Sequence, residues 1–156
     1  MRRRVLLTTA FLLPGLLAPG AAWAQAPGAT SAPLPPLPPL PNIPLPRGIA
    51  LLEPGAWRVE FPHGGEVLEA PQRVVLARIG AALSAGTEGR ITLIAEVSEG
   101  DDLSTTRRLS LVRARAVRAA LVAGGLAETR IDLRAMGRTA AIRDSVDVLA
   151  PIVPKP

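Results

Sequence analysis

The chain has no cysteine. Disulfide bonds, thiolate metal sites, a cysteine nucleophile and a lipid-bearing cysteine behind a leader are therefore excluded, and stability has to come from packing. Aromatic residues make up only 3% of the sequence, too few to stack bases along a nucleic-acid groove. Histidine occurs once, as His63 in Pro62-His63-Gly64-Gly65, a composition that reads as a turn and not as the seat of a general base. No serine lies in a GxSxG elbow or an SxxK arrangement. A single histidine with scattered carboxylates lacks the clustered spacing of a transition-metal site. Glu96, Glu99, Asp101 and Asp102 do not follow the alternating calcium-loop pattern with its closing bidentate Glu. On this reading the chain is not an enzyme and takes no metal, no cofactor and no small-molecule substrate.

The formal charge of +5 is misleading. Arg2, Arg3 and Arg4 belong to a leader and Arg47 and Lys155 to tails; without them thirteen basic residues face thirteen acids, all between Glu53 and Asp147. A neutral domain lacks the sustained basic face that counterion-release binding needs, so nucleic acid is not an expected partner.

Residues 1–24 read as a signal peptide. The three arginines form a basic n-region, an apolar run extends from Val5 to about Ala21, and Ala22-Trp23-Ala24 supplies small residues for cleavage before Gln25. The alternative is retention as a membrane anchor, against which stand Pro14 and Pro19 in a run near the lower length limit for a span. Residues 25–47 read as a proline-rich stalk, with PLPPLPPLPNIPLP from Pro33 to Pro46. As polyproline II at ~3.1 Å per residue this tract reaches on the order of 40 Å. A PxxP ligand is the alternative to a spacer, but any repeated Pro-Leu tract contains PxxP. Residues 48–150 form the folded domain, and 151–156 (PIVPKP) a frayed tail.

Within the domain the hydrophobic period switches repeatedly, the signature of an α+β fold. Trp57 to Phe61 alternates as a strand, ended by Pro62, Gly64 and Gly65. Pro71 opens a helix whose apolar positions are Val74, Val75, Ile79, Ala82 and Leu83, stopped at Gly86 and Gly89. Ile91 to Val97 is the next strand, with Leu93, Ala95 and Val97 on one face. A long second helix ends at Gly124-Gly125 and starts at Ser104 or Ser110, both credible N-caps. Its predicted buried stripe is Leu109, Val112, Ala116, Val117, Ala120 and Leu121, and Arg107, Arg108, Arg113, Arg115 and Arg118 cover the remainder. Arg130 to Met136 and Ser145 to Leu149 alternate as two further strands.

The order strand, helix, strand, helix, strand, strand, with LSLVRARAVRAALVAGGLAETRI from Leu109 to Ile131 and RVEFPHGGEVL from Arg58 to Leu68, resembles the OmpA-like peptidoglycan-binding domain. The resemblance implies a βαβαββ two-layer sandwich, two helices on a mixed four-stranded sheet. It also implies a non-catalytic protein of the periplasm, associated with the cell wall or outer membrane, whose partner is peptidoglycan.

In that family an aspartate ending the second strand and an arginine on the second helix clasp the diaminopimelate side chain of the stem peptide. A zwitterion needs an anion for its ammonium and a fork of donors for its carboxylate, which arginine supplies bidentately. Arg113 matches the helical arginine, and Ser98 stands at the aspartate position. Thr106 stands where the family has asparagine, Arg138 where glutamate is common, and Asp144-Ser145 where a basic pair begins the last strand. The implied ligand residues are thus Arg113, Ser98 and Thr106, with the missing anion sought from Glu96, Glu99, Asp101 or Asp102. A serine hydroxyl lacks the charge that roughly doubles such a bond, so wall binding is expected to be weak or altered. Room for the ligand requires an acidic oxygen ~5–8 Å from the guanidinium across an open cleft, so that charge-assisted bonds can bridge it. The alternative is a scaffold that has lost the wall ligand and holds an outer-membrane or periplasmic protein, since fold alone does not choose between sites.

Overall fold

The computed structural model describes residues 43–150. The predicted leader (1–24), the proline tract up to residue 42 and the tail 151–156 lie outside the described residues. Among those described, no helix is long and apolar enough to cross a membrane.

The elements are β1 (Ile49–Glu53), β2 (Ala56–Glu60), α1 (Ala70–Gly86), β3 (Ile91–Val97), α2 (Leu103–Ala123), a 3-10 turn (Glu128–Arg130), β4 (Ile131–Arg138) and β5 (Ser145–Leu149). They form one mixed sheet in the order β1-β2-β5-β3-β4, in which only β3 and β4 run parallel. The parallel pair is the one joined through α2, as the long crossover between parallel strands requires.

Sequence patterning predicts four strands, and the sheet has a fifth. β1 escapes the pattern because it is an edge strand: only Ile49 is buried, while Ala50, Leu51, Leu52 and Glu53 are exposed, so the alternation of a half-buried strand is missing. Its turn was nonetheless written in Pro54-Gly55. Gly55 sits at φ 88°, the conformation the second turn position demands when proline occupies the first.

On the inner face, Trp57, Val148, Leu93 and Leu133 align across four strands, and Val59, Val146, Ala95 and Ala135 form the next row. All of these except Ala135 meet Leu76, Ile79 and Leu83 of α1 and Val117 and Leu121 of α2 in one core. Ile43 and Leu45, at the end of the proline tract, pack against the same core. The outer face carries charge, including Arg58 held bidentately by Asp147 at 2.8 and 2.7 Å.

The two helices approach backbone to backbone. A Cβ on Gly80 would stand 2.2 Å from the Leu121 carbonyl oxygen, and one on Gly124 would stand 1.9 Å from that of Ala77. Glycine inside α1 at position 80 weakens helix propensity, but together with Gly124, the C-cap of α2, it permits the close crossing. The buried face of α1 is Gln72, Val75, Leu76, Ile79, Gly80 and Leu83; Val74, predicted inside, is exposed.

In α2 the difference from prediction is larger. The N-cap is Asp102, whose side chain accepts from the Thr105 N–H at 2.7 Å, and not Ser104 or Ser110. The buried stripe is Thr106, Ser110, Arg113, Ala114, Val117, Ala120 and Leu121, whereas Leu109, Val112 and Ala116 are half-buried. The first half of the helix therefore turns a polar edge inward. Ser110 is fully buried; its hydroxyl donates to the Arg107 carbonyl at 2.9 Å and accepts the Gly137 N–H at 3.1 Å, fastening α2 to a register shift in β4.

Candidate ligand-binding site

Because β2 and β3 both run antiparallel to β5, the ends of the first two fall beside the start of the third: Glu60 and Glu96 each pair with Ser145. Three connecting segments thus converge. Phe61 to Gly65 follows β2, Ser98 and Glu99 follow β3, and Asp144 immediately precedes β5. The turn after β2 is closed by the Gly65 N–H to the Pro62 carbonyl at 2.8 Å, with Gly64 at φ 70°. Phe61 donates its N–H to the Asp144 carbonyl at 2.9 Å, tying the first segment to the third.

Arg113 reaches into this convergence from the middle of α2 and is 0% exposed. Its Nε–H donates to the Gly65 carbonyl at 2.7 Å. Nη1 donates to Asp144 Oδ1 at 2.6 Å, and Nη2 to Glu99 Oε1 at 3.2 Å and the Pro62 carbonyl at 3.4 Å. The Phe61 ring lies 5.4 Å from the guanidinium carbon, within range of a cation–π contact. Such saturation explains how a charged side chain tolerates burial, which otherwise costs several kcal/mol.

Asp144 is the second centre. Its Oδ1 also accepts the Ser98 N–H at 3.1 Å, and its Oδ2 accepts the Ser98 hydroxyl. Burial acts to raise its pKa, but the Ser98 hydroxyl, the Arg113 guanidinium and the Ser98 N–H outweigh burial and hold the carboxyl below the usual range. Glu99 Oε1 accepts the Gly64 N–H at 2.7 Å as well as Arg113. The outer oxygens of both acids face His63: Nε2 lies 3.2 Å from Glu99 Oε2 and Nδ1 lies 3.6 Å from Asp144 Oδ2. Each carboxylate thus gives one oxygen to the buried arginine and turns the other toward an exposed imidazole. Two carboxylates against one guanidinium leave the cluster one negative charge in excess while His63 is neutral.

Of the residues named from the sequence, Arg113, Ser98 and Glu99 are brought together. Thr106 is not among them: it is buried, and its hydroxyl donates to Leu103 of its own helix at 3.0 Å. Asp101 is exposed and is not a partner of Arg113. Asp102 caps α2, and Glu96 is engaged by Arg143 at 3.1 Å and Thr139 at 2.8 Å. The acid beside Arg113 comes chiefly from Asp144, which sequence reading registered only as a departure from a basic pair. An arginine predicted on the outer face of α2 is instead fully enclosed. The gap of several ångströms that a ligand lodged between guanidinium and acid requires is closed to direct ion pairs of 2.6 and 3.2 Å.

Similarity to known proteins agrees with this architecture. The structure resembles the peptidoglycan-associated lipoprotein from Burkholderia pseudomallei, with a TM-score of 0.52, 17% identity, and coverage of 60% of this chain and 89% of that one. The OmpA-like domain of FopA1 from Francisella tularensis subsp. tularensis SCHU S4 aligns at a TM-score of 0.45 and 16% identity, over 69% of this chain and 80% of that one. No curated protein matches the chain. The model of the OmpA family matches residues 60–147, more than half of the sequence and the whole stretch from the end of β2 into β5, and the chain belongs to that family.

Proposed function

We propose that this chain is an exported, non-catalytic protein of the cell envelope, working in the periplasm, whose domain binds peptidoglycan non-covalently. The ligand atoms are the outward oxygens of Glu99 and Asp144 together with the Ser98 hydroxyl, and they receive the ammonium of the diaminopimelate side chain. One observation carries this reading. Ser98 stands where the family's aspartate is expected, and both its hydroxyl and its N–H are bonded to the carboxylate of Asp144, so an acid occupies the site from a different segment of chain.

Arg113 acts here by positioning. Its donors are engaged by Gly65, Pro62, Asp144 and Glu99, so the carboxylate of the wall peptide meets no free guanidinium fork, and binding is weaker than a two-ended clasp gives. Cosedimentation with purified sacculi at low salt tests the reading. Wild-type protein is expected in the pellet, and Asp144→Asn or Glu99→Gln shifts it toward the supernatant. Wild-type protein that stays in the supernatant contradicts it.

The closed state of Arg113 also favours a second reading, a scaffold that has lost the wall ligand and binds an outer-membrane or periplasmic protein. Crosslinking in cells that recovers one envelope protein in place of wall fragments selects this alternative.

A further inference from the structure

The sequence shows one histidine and acids spread along the chain, an unpromising distribution for metal binding. The fold gathers three of these residues. One ligand atom each from His63, Glu99 and Asp144 lie within 4.8 Å of one another, the one such group of three among the described residues. They come from three separate segments: the turn after β2, the exit of β3 and the residue before β5. We propose that this trio is a binding site for a divalent transition cation of the zinc type, held by one imidazole nitrogen and two carboxylate oxygens.

The chemistry of the donors fits that class of ion. Zinc accepts histidine nitrogen and carboxylate oxygen at about 2.0–2.2 Å, and three protein ligands with an open fourth position is its usual arrangement outside closed structural sites. A site made only of oxygens suits magnesium or calcium, whereas an imidazole among the ligands shifts preference to the transition series.

The outer shell is already built. Metal-ligating carboxylates are characteristically fixed by hydrogen bonds to their second oxygen. Here Asp144 Oδ1 accepts from Arg113 and the Ser98 N–H, and Glu99 Oε1 accepts from Arg113 and the Gly64 N–H. Asp144 Oδ2, which also accepts the Ser98 hydroxyl, and Glu99 Oε2 then face His63. Arg113 removes one of the two negative charges, which weakens attraction for the cation but prevents the acids from repelling each other when none is bound. The His63 side chain is 74% exposed, so it can move onto an ion without disturbing the core, and the open side leaves coordination positions for water. The inference does not rest on the wall-binding reading, although both use the outward oxygens of Glu99 and Asp144, so cation and ammonium exclude each other there.

Because His63 is the only histidine and cysteine is absent, the imidazole resonances of the tag-free chain report the site without ambiguity. Titration of the chelator-treated protein with zinc chloride is expected to shift or broaden the His63 signals at one equivalent, with single-site binding by calorimetry. His63→Ala, which alters an exposed side chain, is expected to weaken binding by at least about tenfold, and Asp144→Asn by a comparable factor. His63 resonances that stay unmoved at millimolar zinc, or a His63→Ala protein that binds as tightly as wild type, overturn the proposal. Sacculus binding measured in chelator separates the two readings: wall binding that fails there while the zinc titration succeeds leaves the metal site standing alone.

Discussion

Ser98 donates both its hydroxyl and its backbone N–H to the carboxylate of Asp144, 46 residues further along the chain. The pair brings the exit of β3 against the start of β5, and it sets the Asp144 carboxylate beside the position where the family pattern has an aspartate. The same carboxylate meets Arg113 Nη1 at 2.6 Å. The atoms that bury Arg113 are therefore the same ones that the proposed function assigns to the ligand.

Arg113→Ala removes the only cation bonded to Asp144 and Glu99 among the described residues and opens a hole beside Phe61. Breaking a buried pair from one side costs about 3–5 kcal/mol; the acids retain side-chain exposures of 14% and 22%, which places the expected loss at the lower end, about 3 kcal/mol. Arg113→Lys keeps the charge but cannot serve carbonyls and two carboxylates at once, so it falls between. Urea unfolding of the three proteins checks the order.

Asp144 also sets an acid limit. Its folded-state pKa is depressed, so its contribution is fully present above the unfolded carboxyl value of about 3.9 and is lost as pH falls through the lower folded value. Thermal unfolding in chelator should show wild type losing more stability below about pH 4 than Asp144→Asn, which lacks that titration. Parallel pH profiles of the two proteins contradict the assignment.

Gly80→Ala drives a methyl group into the carbonyl of Leu121, at 2.2 Å. Backbone cannot rotate aside as a flexible side chain can, so α1 and α2 must separate, at about 1–3 kcal/mol or more. An isolated helix would instead gain from the same exchange, about 1 kcal/mol, so the sign of the change in melting temperature decides whether packing or propensity governs this position.

The strands with one buried face were legible because period-2 alternation survives in Ile91–Val97 and Ser145–Leu149, whose limits match the observed ones. β1 was not, since an edge strand with one buried residue carries no such signal. The first half of α2 was misjudged for a related reason. Hydrophobicity places leucine and valine inward, but the interior there is polar: the carbonyls of Pro62 and Gly65 and two carboxylates receive Arg113, and the Gly137 N–H meets Ser110. Asp144 could not be read as a partner of Ser98 from spacing, because their contact depends on the antiparallel pairing of β3 with β5. His63 was legible as a turn residue but not as a neighbour of two acids, for the same topological reason.

Relocating the acid tests most directly whether Asp144 fulfils the role missing at Ser98. Retention on purified sacculi should fall in Asp144→Ser and return toward the wild-type level in the double variant Ser98→Asp with Asp144→Ser, where the carboxylate approaches Arg113 from β3. Equal retention of wild type, single and double variants would contradict the account, because the wall would then be held by atoms other than this cluster.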